Sequence, residues 1–150
     1  MRQKTFILLA LMMLATASWA QHLDFMGHPI EGNITDFTAA IRQQYPLQKK
    51  VGGDRYYIYQ GNVFGNNCYL KAEYTRKSKT VYKITAEPKQ IDQNALLDSL
   101  VAHFGEALEV QGGYRWNRPG GTVFLYTPQG YDPILMYFDE QGVAAFREEK

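Results

Sequence analysis

The side chains that could act in catalysis or metal binding are few and scattered along the sequence. His22 and His28 lie close to Asp24, where a weak surface metal site is the most that these residue types could form. His103 flanks the apolar stripe of a predicted helix near its C-terminus, a position typical of a half-exposed structural histidine. The sequence therefore predicts no catalytic residue, no metal ion and no cofactor.

Cys68 is the only cysteine, so the chain cannot form an intramolecular disulfide. It lies in an alternating run without a neighbouring base, which favours a small hydrophobic side chain on a strand. An intermolecular bridge or a reactive thiol is the alternative. No serine stands in a nucleophile elbow, and the glycine pairs at 52–53, 112–113 and 120–121 do not open helices as phosphate loops do. A hydrolytic enzyme is therefore our third hypothesis.

Aromatic residues are the most prominent side chains that could bind another molecule, at 14% of the chain. Tyr56, Tyr57 and Tyr59 stand in one run, and successive strand residues point to opposite faces, so some rings must face away from the helices. Rings with a hydrogen-bonding tip are typical of protein-binding surfaces. The alternative is that aromatic residues are common in strands whatever their function.

Five residues form the predicted binding surface: Tyr57, Trp116, Tyr59, Tyr114 and Arg115. Tyr57 and Trp116 are the predicted anchors because they occupy equivalent places in two similar segments. The leading hypothesis is a non-enzymatic protein-binding module whose open sheet face engages a protein partner. The alternative is a small-ligand or glycan-binding module, in which Trp116 forms a stacking platform with Tyr114 and Arg115.

The two similar segments run over about 34–88 and 92–148 and are related by a shift of 59 positions. The matched pairs are Phe37 with Leu96, Ile41 with Leu100, Tyr45 with Phe104, Val51 with Val110, Gly53 with Gly112, Tyr57 with Trp116 and Gly61 with Gly120. Each segment has the pattern of a helix, a glycine turn and an aromatic strand. A match at fixed spacing indicates one structural unit paired with its copy.

Helix-capping residues, and the alternation of apolar with polar side chains along strands, predict the elements that position these residues. Thr35 caps the first predicted helix, and the second runs from the cap Asp92 to Gly105. Between them, a hairpin register pairs Leu70 with Ala86, Ala72 with Ile84 and Tyr74 with Tyr82. Residues 22–26 suit a short strand at a sheet edge, and residues 143–147 a last strand after a turn at 139–142. The predicted fold class is α+β, with one antiparallel sheet of six to eight strands and two helices on one face.

The first twenty residues have the pattern of a signal peptide. Arg2 and Lys4 precede an apolar run from Phe6 to Leu14, and Ser18-Trp19-Ala20 provides a cleavage site. We therefore expect a protein exported to the periplasm or the medium, with a single domain over 21–150. That part is nearly neutral and has no apolar stretch long enough to cross a bilayer, so neither nucleic acid nor a membrane span is predicted.

The start of the predicted mature chain resembles a known group of sequences. The series Phe25-Met26-Gly27, Pro29-Ile30, Gly32, Ile34, Phe37 and Ile41 is similar to the opening of a group of small exported bacterial proteins of largely unknown function. The expected architecture also resembles the tandem-repeat domains grouped with beta-lactamase inhibitor protein, whose helices lie against one side of a curved sheet. Neither resemblance implies a catalytic residue.

Overall fold

The structure is a computed structural model that describes residues 21–150, so the predicted signal peptide over residues 1–20 lies outside it. The described chain contains ten strands and three helices and belongs to the α+β class, as the sequence predicted. Eight strands form one antiparallel sheet, and the other two form a separate small sheet. No helix between residues 21 and 150 has the length and apolar character that a membrane crossing requires.

The elements alternate between helices and antiparallel meanders along the chain. The strands are β1 (Asp24–Phe25), β2 (His28–Pro29), β3 (Leu47–Val51), β4 (Tyr56–Val63), β5 (Asn66–Tyr74), β6 (Val81–Pro88), β7 (Leu108–Val110), β8 (Gly113–Arg118), β9 (Gly121–Tyr126) and β10 (Ile134–Asp139). The helices are α1 (Ile34–Ile41), α2 (Gln93–Phe104) and α3 (Glu140–Glu148). The large sheet has the order β3-β4-β5-β6-β10-β9-β8-β7, which places β6 beside β10 at its centre.

Helices α1 and α2 pack on the same face of the large sheet, which we call the helix face. The hydroxyl of Tyr59 on β4 lies 2.7 Å from the hydroxyl of Thr38 in α1. On β8, the indole Nε1 of Trp116 donates a 2.9 Å hydrogen bond to the carbonyl of Gly105, which caps α2. The ring of Phe104 packs 5.9 Å from Trp116. These contacts make the helix face the main site of the apolar core.

The first residues of the described chain also pack on the helix face. Strands β1 and β2 pair only with each other, so the predicted edge strand over residues 22–26 does not join the large sheet. Phe25 is fully buried, with its ring 5.0 Å from Tyr137 and 5.5 Å from Tyr45. The apolar residues of this segment face the core instead of extending the sheet, because their burial against aromatic rings is favourable.

The cap of α2 is the residue that the sequence predicted, whereas the cap of α1 is a different residue. Asp92 caps α2 by accepting a hydrogen bond from Asn94 N, and Gly105 ends the helix, both as predicted. Helix α1 begins two residues earlier than a cap at Thr35 predicts. Its cap is Asn33, whose side chain accepts a 2.9 Å hydrogen bond from Asp36 N.

Residues 140–148 form helix α3, so the predicted last strand over 143–147 is wrong. Asp139 ends β10 and its carboxylate accepts a 2.9 Å hydrogen bond from Gly142 N, which caps the helix. Gly142 packs against β6 so closely that a Cβ there would lie 2.5 Å from the carbonyl oxygen of Val81. A segment that reads as a hairpin turn is therefore the first turn of a helix.

Candidate functional site

The predicted binding surface is divided between the two faces of the sheet. Tyr57 and Tyr59 are two residues apart on β4, and Tyr114 and Trp116 are two apart on β8, so each pair shares a face. Contacts with α1 and α2 place both pairs on the helix face. Arg115 is the only one of the five on the opposite face. The structure therefore does not bring the five residues together.

Burial corrects the expectation that Trp116, one of the two predicted anchors, and Tyr59 lie on a binding surface. Trp116 is 3% exposed and Tyr59 1% exposed, so both belong to the core. Tyr57 and Tyr114 are partly buried and pack against that core. The ring of Tyr57 meets Tyr74 edge-on at 5.5 Å. These rings stabilise the fold, and a binding surface must be sought on the other side of the sheet.

The face opposite α1 and α2, here called the open face, has a polar half formed by β3 to β6. Its main residues are Tyr56, Ile58, Tyr69, Lys71, Glu73 and Lys83. The Glu73 carboxylate lies 3.5 Å from the Lys83 ammonium and 4.0 Å from that of Lys71. Lys71 in turn lies 4.6 Å from the centre of the Tyr56 ring. One carboxylate of this half thus has two ammonium partners.

The other half of the open face, formed by β7 to β10, is mainly apolar. We call its residues the apolar patch: Leu108, Val110, Phe124, Tyr126, Ile134 and Met136. Phe124 lies opposite Met136 on β10 and opposite Arg115 on β8. Tyr126 lies opposite Ile134, and its ring stacks with Phe124 at 6.5 Å. Side chains from neighbouring strands thus form one continuous surface.

Within residues 21–150, no helix covers the apolar patch along its outer strands. Leu108 is 51% exposed and Tyr126 39% exposed, and the other four residues of the patch are half-buried. Helix α3 lies only at the end of this face where β10 stops, alongside β6. An apolar area of this kind, bordered by charged residues, is typical of an interaction site.

A sequence signal for the patch exists, although sequence reasoning missed it. Residues 123–126 and 134–138 are continuous apolar runs without the alternation of a half-solvated strand. Such runs place apolar side chains on both faces of a sheet. Because α1 and α2 can cover only one face, the second set of side chains had to lie on the open face.

The residues with reactive side chains are held in structural roles. Cys68 is a free, buried residue on the helix-facing side of β5, as predicted, and burial raises the pKa of its thiol to about 11. His28 Nε2 lies 2.8 Å from the side-chain oxygen of Gln44, whereas His22 contacts Asp139. Over residues 21–150, no group of three metal-binding side chains converges on one point.

Comparisons with protein-family models, with curated proteins and with solved structures found no match. The fold and the site define this chain as an α+β protein with a partly apolar sheet face on the side opposite α1 and α2. Its function therefore has to be inferred from the chemistry of that face.

Proposed function

We propose that this chain is an exported, non-enzymatic protein-binding module that engages a protein partner with its open sheet face. The observation that carries the proposal is the apolar patch, because Leu108 and Tyr126 are well exposed on a strand surface that no other element of the described chain covers. Burial of such side chains against a partner removes apolar surface from water, which is the main driving force of association.

The composition of the open face supports a protein partner. Tyr, Phe, Met and Arg are enriched at the centres of protein interfaces, and the patch presents Phe124, Tyr126 and Met136 beside Arg115. The charged residues of the neighbouring half, Glu73 among them, would form a polar rim. An exposed apolar centre with a polar rim is the usual anatomy of a specific interface.

The sequence of elements supports the proposal that the domain consists of two similar halves. Helix α1 precedes the meander β3 to β6, and helix α2 precedes the meander β7 to β10. The two meanders meet at β6 and β10, so their strand orders mirror each other. In this interpretation one half supplies the polar part of the open face and the other half the apolar patch. The signal-peptide pattern of residues 1–20 supports the proposal that the protein is exported.

The glycan-binding alternative loses the platform on which it was based. Trp116 is buried beneath α2, and Tyr114 shares its face, whereas Arg115 points to the open face. A sugar therefore cannot stack on Trp116 and contact Arg115 at the same time.

Crosslinking and affinity capture from the envelope and medium of the source cells would test the proposal. The bait is the protein expressed from its full sequence, compared with the patch variant Leu108→Ser/Tyr126→Ser. Both positions are exposed, so the folded state should persist, and circular dichroism would verify this. The matched control is Tyr131→Ser, which removes an aromatic ring that is 80% exposed but lies in the loop before β10.

We expect one abundant partner that is captured by the wild type and by the Tyr131 variant and is lost from the patch variant. Equal capture by the wild type and the patch variant would show that the open face is not the binding surface. Loss from both variants would show that the effect is not specific to the patch.

A further inference from the structure

An open groove of about 740 Å³ lies where α3 meets the end of the open face. Its sheet side is lined by Arg115, Thr122 and Phe138, and its helix side by Val143, Ala144 and Arg147. Phe138 and Thr122 are paired across β10 and β9, and Phe124 follows Thr122 by two residues on the same face. The groove is therefore continuous with the apolar patch.

The groove carries an excess of positive charge. Arg115, Arg118 and Arg147 line it, and Glu140 is its only carboxylate among the lining residues. Arg118 is already engaged, because its guanidinium lies 5.4 Å from the Phe104 ring and donates to the Phe104 carbonyl. The side chains of Arg115 and Arg147 form neither an ion pair nor a hydrogen bond within residues 21–150.

The two lysines of the polar half differ in this respect, because Lys71 and Lys83 each lie within 4.0 Å of the Glu73 carboxylate. Two guanidinium groups beside an apolar surface present several donors in a fixed planar geometry that matches a carboxylate. Because Lys71 and Lys83 have a carboxylate partner and the two groove arginines have none within residues 21–150, an incoming carboxylate is favoured at the groove.

Resting on the function proposed above, we infer that the partner presents an acidic segment to this groove. An Asp or Glu carboxylate of the partner pairs with Arg115 and Arg147, and its apolar neighbours cover Phe124 and Met136. Capture of anionic lipid is disfavoured, because recruitment to a bilayer takes a cluster of about four to eight basic residues. Residues 21–150 instead carry one more acidic than basic side chain.

A randomised seven-residue peptide library displayed on phage, selected on the protein expressed from its full sequence, would test this inference. Enriched peptides are then synthesised with a fluorescent label, and their dissociation constants are measured by anisotropy. Each is compared with a peptide in which Asp and Glu are replaced by Asn and Gln. Binding is measured for two test variants, the groove variant Arg115→Gln/Arg147→Gln and the patch variant Leu108→Ser/Tyr126→Ser. The charge control is Arg42→Gln/Arg76→Gln, which alters two exposed arginines outside the groove.

We expect enriched peptides that combine an acidic residue with apolar neighbours. Their affinity should fall at least about tenfold for the groove variant and for the amide peptides, stay unchanged for the charge control, and weaken as salt rises.

Enriched peptides that need the patch but bind the groove variant as well as the wild type would overturn this inference and leave the proposed function intact. Peptides that bind the patch variant as well as the wild type would overturn both this inference and the proposed function. A selection that enriches no peptide would also overturn both. Binding to phosphatidylglycerol vesicles without any peptide binding would also overturn both, in favour of a membrane surface.

Discussion

The imidazole Nδ1 of His22 lies 3.0 Å from the carboxylate Oδ2 of Asp139, 117 residues further along the chain. The same carboxylate accepts a 2.8 Å hydrogen bond from Leu23 N and a 2.9 Å hydrogen bond from Gly142 N. Because a carboxylate only accepts, the imidazole must carry its proton on Nδ1. One fully buried side chain thus joins the first residues of the described chain to the cap of the last helix.

Replacement of Asp139 by alanine should therefore destabilise the protein strongly. The change removes the α3 cap and leaves the Leu23 amide and the His22 ring without their acceptor, with an expected loss of about 3 kcal/mol in the free energy of unfolding. Urea denaturation followed by circular dichroism would measure it. Asp92→Ala is the matched control, because Asp92 is an exposed cap and should cost only about 1 kcal/mol. Equal losses for both variants would contradict this role of Asp139.

Two buried tyrosines on the helix face offer a second comparison. The hydroxyl of Tyr59 bonds to Thr38, whereas that of Tyr137 has no hydrogen-bond partner within the described chain. Tyr59→Phe should therefore cost about 1 kcal/mol, and Tyr137→Phe should leave stability unchanged or raise it by up to about 1 kcal/mol. Thermal denaturation of the two variants, each compared with the wild type, would measure these changes in stability. If Tyr137→Phe destabilised as much as Tyr59→Phe, the Tyr137 hydroxyl would have to be satisfied in solution.

The hairpin of β5 and β6 shows how far alternation predicts structure and where it fails. The predicted pairs Leu70 with Ala86 and Ala72 with Ile84 are confirmed. Tyr74, however, pairs with Val81 and not with Tyr82, because a bulge follows Glu73 and shifts the register. Alternation fixes which residues share a face, but a bulge depends on local backbone geometry that the pattern does not encode.

The candidate site was less predictable than the fold, for a physical reason. Alternation shows that Tyr57 and Tyr56 face opposite sides of β4, but it does not say which side the helices cover. That choice depends on contacts distant in sequence, such as the bond from Trp116 to the carbonyl of Gly105. The sequence analysis missed helix α3 for a similar reason, because its first turn packs through Gly142 on β6, a contact that is distant in sequence.

Cys68 should react slowly in the folded protein. Burial raises the pKa of its thiol from an ordinary value of 9.0 to about 11, so at pH 8 the reactive thiolate is about a hundredfold scarcer than in the unfolded chain. Ellman's reagent at pH 8 should therefore label the folded protein at least about a hundredfold more slowly than the protein in urea. Comparable rates in the two states would show that the thiol is accessible and ionised.

The same shift in the Cys68 pKa makes stability fall at alkaline pH. The raised pKa stabilises the folded state fully below pH 9, and this contribution is lost as the pH rises towards 11. Between pH 7.5 and 9.5, wild type should lose roughly 0.8 kcal/mol more than Cys68→Ala, which lacks the titrating group. Parallel urea denaturation at the two pH values would measure the difference, and equal losses would contradict the assignment.

Gly61 should be intolerant of any side chain because the ring of Tyr45 lies directly over it. A Cβ at position 61 would lie 2.3 Å from Cδ1 of Tyr45 and 3.0 Å from the carbonyl oxygen of Gln44. Tyr45 cannot move aside easily, since it is fully buried and its hydroxyl donates a 2.8 Å hydrogen bond to the carbonyl of Asn62.

Gly61→Ala should therefore destabilise the protein by about 2 to 3 kcal/mol in urea denaturation, the usual cost of overpacking a core. Gly53→Ala is the control, because a Cβ there meets no atom within 4 Å, and its stability should stay within about 0.5 kcal/mol of wild type. If Gly61→Ala were as stable as Gly53→Ala, the Tyr45 ring could not be packed against β4 in solution, and the contact that joins the end of α1 to the sheet would have to be different.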